Sequence, residues 1–173
     1  MADDDVLSPD PILELGTAYF ASRALMSAVE LDLFTALAEG PAGLEEIRER
    51  LGLHRRAAGD FLEALTALGM LERTGDDRYR NSALAARYLD RGRPSYVGGF
   101  AELSGTALFP AWTRLTEGLR SGEPQVEQPK DGDFFARTYQ DPGRVRRFLS
   151  SMDAVNGRLA EELARCVDWS RYG

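Results

Sequence analysis

Between Ile12 and Leu37 the only charged residues are Glu14, Arg23, Glu30 and Asp32, so Leu13, Tyr19, Phe20, Leu25, Met26, Val29, Leu33 and Phe34 fall on nearly every side of any helix built there. The stretch from Pro9 to about Gly40 is predicted to be that helix, opened by Ser8 or Asp10 as cap with Pro11 in its first turn. A helix that is apolar all round has to be covered all round. A central core position would do this, but so small a subdomain offers little cover, and the pattern favours a helix buried between two copies of the chain. On that reading a charge introduced at Leu25 or Val29 should separate the copies.

The next stretch changes period. Leu44, Ile47 and Leu51 make one helical stripe ended by Gly52, and a turn through Leu53 and His54 leads to a second, carrying Ala57, Ala58, Phe61, Leu62, Leu65 and Leu68 and closed by Gly69. Met70 to Arg73 and Arg78 to Arg80 then flank Thr74-Gly75-Asp76-Asp77, a turn of residues that tolerate hairpin geometry. Helix, turn, helix, hairpin is the order of a winged helix-turn-helix. Asn81 or Ser82 caps a further helix with Leu84 and Leu89, and Gly92-Arg93-Pro94 breaks the chain.

Tyr96 to Arg120 reads as another helix, with a kink expected at Pro110. Ser121 to Asp133 is the most loop-like stretch, and Phe134 to Tyr139 a short helix. Asp141-Pro142 opens the last helix, whose stripe Val145, Phe148, Leu149, Met152, Val155, Leu159, Leu163 and Val167 runs to about Val167. The expected fold is therefore mainly α, a winged helix-turn-helix with a small β-hairpin plus long flanking helices. Its parts are an acidic tail over 1–8, the apolar helix with the winged helix over 9–91, and a further helical region over 92–168, to which the family resemblance given below adds an intertwined homodimer and a lid role for 92–168.

Composition removes several kinds of chemistry. One cysteine, Cys166, excludes an internal disulfide, and with a single histidine, His54, it leaves no zinc set. Cys166 reads as a buried, inert thiol, and His54 as a cap or a solvated side chain without an acid to orient it. The longest uncharged run in the greasy N-terminal segment, Leu15 to Ser22, falls far short of the ~20 residues of a membrane span. The acidic start Met1-Ala2-Asp3-Asp4-Asp5 is unlike a signal peptide, so the expected location is cytoplasmic.

A winged helix raises DNA binding, yet the net charge is −7, Arg55 and Arg56 sit near Asp60 and Glu63, and Asp76 and Asp77 occupy the hairpin tip. No nucleic acid is expected as partner. No glycine-rich phosphate loop follows a strand, since Gly98-Gly99 opens a helix. One constellation remains: Phe109, Trp112, Phe134, Phe135, Phe148 and Met152, with Tyr19 and Phe20, could converge on an apolar cavity for a planar aromatic ligand, or could be plain core.

Several segments together resemble one family. Ala24-Leu25-Met26-Ser27-Ala28-Val29-Glu30-Leu31-Asp32-Leu33-Phe34 looks like its dimerisation helix, and Leu62-Glu63-Ala64-Leu65-Thr66-Ala67-Leu68-Gly69-Met70-Leu71 like its winged-helix signature. Tyr79-Arg80-Asn81-Ser82 with Leu84-Ala85 and Tyr88-Leu89 continues the pattern, and Asp168-Trp169-Ser170-Arg171-Tyr172 resembles its lead-in to a following domain. The family is the S-adenosylmethionine-dependent small-molecule O-methyltransferases of bacterial polyketide and antibiotic tailoring and plant phenolic metabolism.

The resemblance implies an intertwined homodimer whose N-terminal region supplies the lid and one wall of a pocket for an aromatic or polyketide hydroxyl. It implies a Rossmann-like domain after residues 169–173, with the glycine-rich turn and the histidine base that these residues lack. Matching positions place Tyr139 and Asn156 against the methyl donor, Phe148 and Met152 on the pocket wall, and Phe109 with Trp112 on the helix opposite. S-adenosylmethionine is expected in the parent enzyme and not on this chain alone, and no residue here is assigned a catalytic role. A winged-helix regulator sensing an aromatic ligand and a stand-alone small-molecule-binding protein are the other readings.

Overall fold

In the computed structural model, which describes residues 7–126 and 139–171, the apolar N-terminal stretch folds as helix α1, Asp10–Glu30, with the Asp10 amide donating to Ser8 Oγ at 3.1 Å. The single helix expected to reach Gly40 is cut at Leu31 and Asp32. The Leu31 amide still donates to Ser27 O and that of Asp32 to Val29 O, but Asp32 takes a left-handed conformation, φ 59°, before the short α2, Leu33–Ala36. Asp is among the few residues besides Gly that tolerate that region. Its carboxylate is held by Arg91 Nε at 2.8 Å, a partner far away in sequence that no local pattern announces.

Helices α3, Leu44–Leu51, and α4, Arg55–Ala67, are joined where expected, with Gly52 in the left-handed region at φ 66°. His54 is the cap: its Nδ1 accepts the Arg56 amide at 3.2 Å. Strands β1, Leu71–Arg73, and β2, Tyr79–Asn81, pair antiparallel with Leu71 opposite Asn81 and Arg73 opposite Tyr79. Ala42 adds a bridge to Tyr79 that the hydrophobic pattern did not show, its amide donating to Tyr79 O at 2.9 Å. Ser82, whose hydroxyl accepts the Ala85 amide, caps α5, Ala83–Tyr88, while Asn81 turns to donate its side-chain amide to Phe34 O at 2.7 Å.

The core of these elements is Val29, Leu33, Phe34, Leu37, Ile47, Leu62, Leu65, Leu71 and Tyr79, closed by Ala28, Ala42 and Ala85. Among the described residues every buried apolar side chain lies between Ala28 and Ala85. The N-terminal half of α1 lies outside it, with Ile12 76% and Leu15 80% exposed. Val29 is therefore a core residue of one chain, 3% exposed beside Leu33, and Leu25 packs against the same cluster. A charge at Val29 would therefore fall in this chain's own core, whereas Ile12, Leu13 and Leu15 are apolar side chains that α1 leaves exposed.

Helix α6, Gly98–Leu103, runs through one π-helical turn, Ser104–Leu108, into α7, Phe109–Trp112. Pro110 has no N–H for a fourth-residue-back bond, and the chain absorbs the loss by widening the preceding turn, where the Phe109 amide reaches Ser104 O. The helix expected to be continuous to Arg120 thus breaks after Trp112 and resumes as α8, Leu115–Ser121. The final helix α9, Pro142–Cys166, is capped by Asp141 Oδ1, which accepts the Gly143 amide at 2.8 Å, and a short 3-10 turn, Trp169–Arg171, follows.

Helix α9 lies along α6 at a close crossing. A Cβ on Gly99 would stand 2.8 Å from the carbonyl of Ser150, and Ser151 beside it is fully buried, its hydroxyl donating to Phe148 O at 2.7 Å. The stripe expected on α9 is only partly covered: Phe148 and Met152 are half-buried, whereas Leu159 is 66% exposed. Cys166, expected buried, is exposed as well, although the Trp169 indole N–H donates to Ala164 O at 2.9 Å nearby. Phe134 and Phe135, with the short helix and most of the loop expected around them, lie outside the described residues. Among the described residues the architecture is mainly helical with one small antiparallel sheet, as the periodicity implies. Among the described residues no helix is long and apolar enough to cross a membrane.

Candidate functional site

Among the described residues the aromatic side chains do not gather in one cavity. Tyr19 and Phe20 stack edge to face on α1, ring centroids 4.4 Å apart, and open onto a groove of about 420 Å³ between α1 and α4 that Ala24, Leu53, His54 and Phe61 complete. A larger groove of about 640 Å³ lies at the other end, between the Pro94–Tyr96 turn and the start of α9. Tyr139, Tyr96, Val145, Arg146, Leu149 and Asp153 line it.

The remaining candidates line neither groove. Phe148, Met152 and Asn156 follow one another at helical spacing along α9, and the Asn156 side-chain amide donates back to Met152 O at 3.1 Å. Phe109 is half-buried and Trp112 is 67% exposed on α7.

Charge is concentrated where α6 meets the core. Arg91 donates through Nε to Asp32, pairs through Nη1 with Glu102 at 2.7 Å and donates through Nη2 to Val29 O at 3.4 Å. Burial works against its charge, but Tyr96, Glu102 and Asp32 outweigh that and raise its pKa. The Tyr96 hydroxyl donates to Glu102 at 2.6 Å, and burial, then that hydrogen bond, push it well above the usual phenol range. Tyr79 is raised in the same way by burial and by its hydrogen bond to Glu63 at 2.8 Å.

The hairpin cations expected to decide for or against a phosphate surface are engaged within the chain. Arg73 pairs with Glu63 at 3.0 Å, Arg78 with Glu46 at 3.1 Å and Arg80 with Glu72 at 2.7 Å. Two features escaped the sequence reading. The Gly98-Gly99 and Ser150-Ser151 pairs, small residues inside two apolar helices, were the available signal for a close helix crossing, whereas Arg91 had no signal, being one arginine among many.

The described residues form a mainly helical unit that closes a core of its own, while its two longest helices, α1 and α9, carry exposed apolar side chains. Residues 13–91 match the profile of the O-methyltransferase dimerisation domain and belong to that family. Over 167 residues it is 57% identical to the tetracenomycin polyketide synthesis 8-O-methyl transferase TcmO of Streptomyces glaucescens, covering 96% of this chain and 48% of that protein. It is 43% identical over 163 residues to the N,N-dimethyltransferase OxyT of Streptomyces rimosus, covering 94% and 47%. The solved structure of PigF with SAH superposes with a TM-score of 0.80 at 25% identity, over 95% of this chain and 50% of that one. The chain thus spans about half the length of the relatives it matches.

Proposed function

We propose that these residues are the dimerisation and substrate-lid part of an S-adenosylmethionine-dependent O-methyltransferase acting on an aromatic or polyketide hydroxyl. The observation that carries this is the uncovered apolar surface of α1 and α9, held on a family member that is 57% identical to a polyketide O-methyltransferase. The α1 face, Ile12, Leu13 and Leu15, meets a second copy through the helix-turn-helix and hairpin unit, which has the element order of a winged helix. The α9 face, with Val155, Leu159 and Leu163, meets the domain that holds the methyl donor.

The lid reading gives each candidate a role that its position permits. Phe148 and Met152 are half-buried on α9, Phe109 and Trp112 stand on α7, and Tyr19 projects from α1, so they supply apolar wall for a planar substrate. Tyr139 and Asn156 are exposed polar side chains on the α9 side, suited to touching the donor from above but too few to cradle it. The donor supplies an activated methyl group when bound. What this chain adds is orientation and the exclusion of water, which in such transfers lowers the barrier by pre-paying alignment.

Light scattering tests the dimer. The wild-type chain should run at twice its 19.1 kDa mass, and the double variant Leu13→Asp with Leu15→Asp at 19.1 kDa with unchanged helicity. A wild-type chain that stays at 19.1 kDa under these conditions overturns the interface. Calorimetry should detect negligible S-adenosylmethionine binding to residues 1–173, and micromolar affinity would refute the lid assignment.

A further inference from the structure

Arg91 makes contacts that no surface ion pair needs. Its three guanidinium nitrogens go to three different elements: Nε to Asp32 in the α1–α2 turn at 2.8 Å, Nη1 to Glu102 on α6 at 2.7 Å, and Nη2 to the Val29 carbonyl at the end of α1 at 3.4 Å. Its backbone amide donates to Thr35 Oγ1 on α2 at 3.2 Å. The guanidinium also lies over the Tyr96 ring, 5.4 Å from its centroid, while the Tyr96 hydroxyl donates to the same Glu102 carboxylate. The Glu102 side chain is only 17% exposed, so this pair is less screened than the surface pairs elsewhere.

The two sides of this junction differ in kind. Asp32, Val29 and Thr35 belong to the unit that contains the whole buried core, whereas Glu102 sits on α6, which carries α9 by the close crossing of Gly99 on Ser150. Arg91 also places a cation on the Val29 carbonyl at the C-terminal end of α1, where the helix dipole favours it and where the Asp32 amide already donates. Apolar packing of Ala101 on the core joins the same elements but sets no direction. A planar fork of fixed geometry does, and a lysine ammonium cannot reproduce it.

We infer that Arg91 is a positioning residue, which sets the angle of α6 on the dimerisation core and through α6 the placement of the α9 wall bearing Phe148 and Met152. This rests on the lid reading for its functional meaning, but its test needs neither donor nor substrate. Amide hydrogen exchange, resolved by peptide, is measured on the wild-type chain, Arg91→Lys, Arg91→Met and Glu102→Gln.

In Arg91→Met and Arg91→Lys the amides of 98–112 and 143–157 should exchange about tenfold faster, with those of 58–71 changed by less than about twofold. Glu102→Gln should give the same selective pattern at smaller amplitude, and decides the matter should Arg91→Met not fold. Unchanged exchange over 98–112, or an equal acceleration of 58–71, overturns the inference. Wild-type exchange in Arg91→Lys overturns the claim for the fork. Unimpaired methyl transfer by the Arg91 variants of a longer protein, with the selective exchange pattern present, would count against the lid reading alone.

Discussion

Helices α4 and α9 carry apolar stripes of the same period and end in opposite environments. On α4, Ala58, Leu62 and Leu65 are 1%, 0% and 0% exposed, sealed by α1, α3 and the hairpin. On α9, Val155, Leu159 and Leu163 are 54%, 66% and 55% exposed, and only the turn around Ser151 is closed, against α6. Helix α1 shows both outcomes along its own length, with Val29 buried and Ile12 in the open. An amphipathic pattern therefore states that a face requires a partner and says nothing about where the partner is. In this chain the covered faces build a core between Ala28 and Ala85, and the uncovered ones leave apolar side chains of α1 and α9 in the open.

The difference should appear most strongly in stability. Phe34→Ala, at a side chain 1% exposed, should cost about 3–5 kcal/mol in urea unfolding. A loss below 1 kcal/mol would mean that the core between Ala28 and Ala85 is not what holds the chain together.

Alkaline pH separates the core from the junction next. Tyr79 in the core and Tyr96 at the junction both have hydroxyl pKa values raised by burial and by a carboxylate partner. Their contribution is fully present below the unfolded value of about 10. It is lost as pH climbs from there toward the folded values, because the unfolded chain gives up a proton that the native one keeps. Stability should therefore decline above about pH 10, and Tyr96→Phe should flatten that decline without altering the neutral-pH core. An unchanged slope in Tyr96→Phe would assign the effect to Tyr79.

Smaller still, Asp141→Ala removes the acceptor for the Gly143 amide at the start of α9 and should cost about 1 kcal/mol, read as fraying of α9 by amide exchange. The smallest expected effect is that of Leu159→Ala, within about 0.5 kcal/mol in this chain because the side chain is already in water. A loss of about 2 kcal/mol or more there would show that α9 is covered after all.

Much of this arrangement was legible from residues alone, and each success has a local cause. Gly52, His54, Ser82 and Asp141 terminate or cap helices where the pattern placed them, since those boundaries depend on backbone conformations and hydrogen bonds within a few residues. The turn Thr74-Gly75-Asp76-Asp77 forms with Asp77 at φ 61°, a conformation that its residue type tolerates. The misreadings are non-local. The stretch expected as one helix to Gly40 has helical propensity throughout, but Asp32 is held out of helix by Arg91. Phe109, Trp112, Phe148, Met152 and Tyr19 were grouped because aromatic and sulfur side chains share a chemistry, and only backbone paths show that Tyr19 faces α4 while Phe148 lies on α9.

The sequence by itself determined the helical period of the described segments, most of the capping and turn residues, and the family to which residues 13–91 belong. These follow from neighbours along the chain or from composition. Tertiary structure alone decided that Val29 is core and Leu15 is surface, that Gly99 touches Ser150, and that Arg91 ties Asp32 to Glu102. The physical reason is that burial and ion pairing depend on which elements meet, and residues far apart in sequence carry no mark of their meeting until the backbone brings them together.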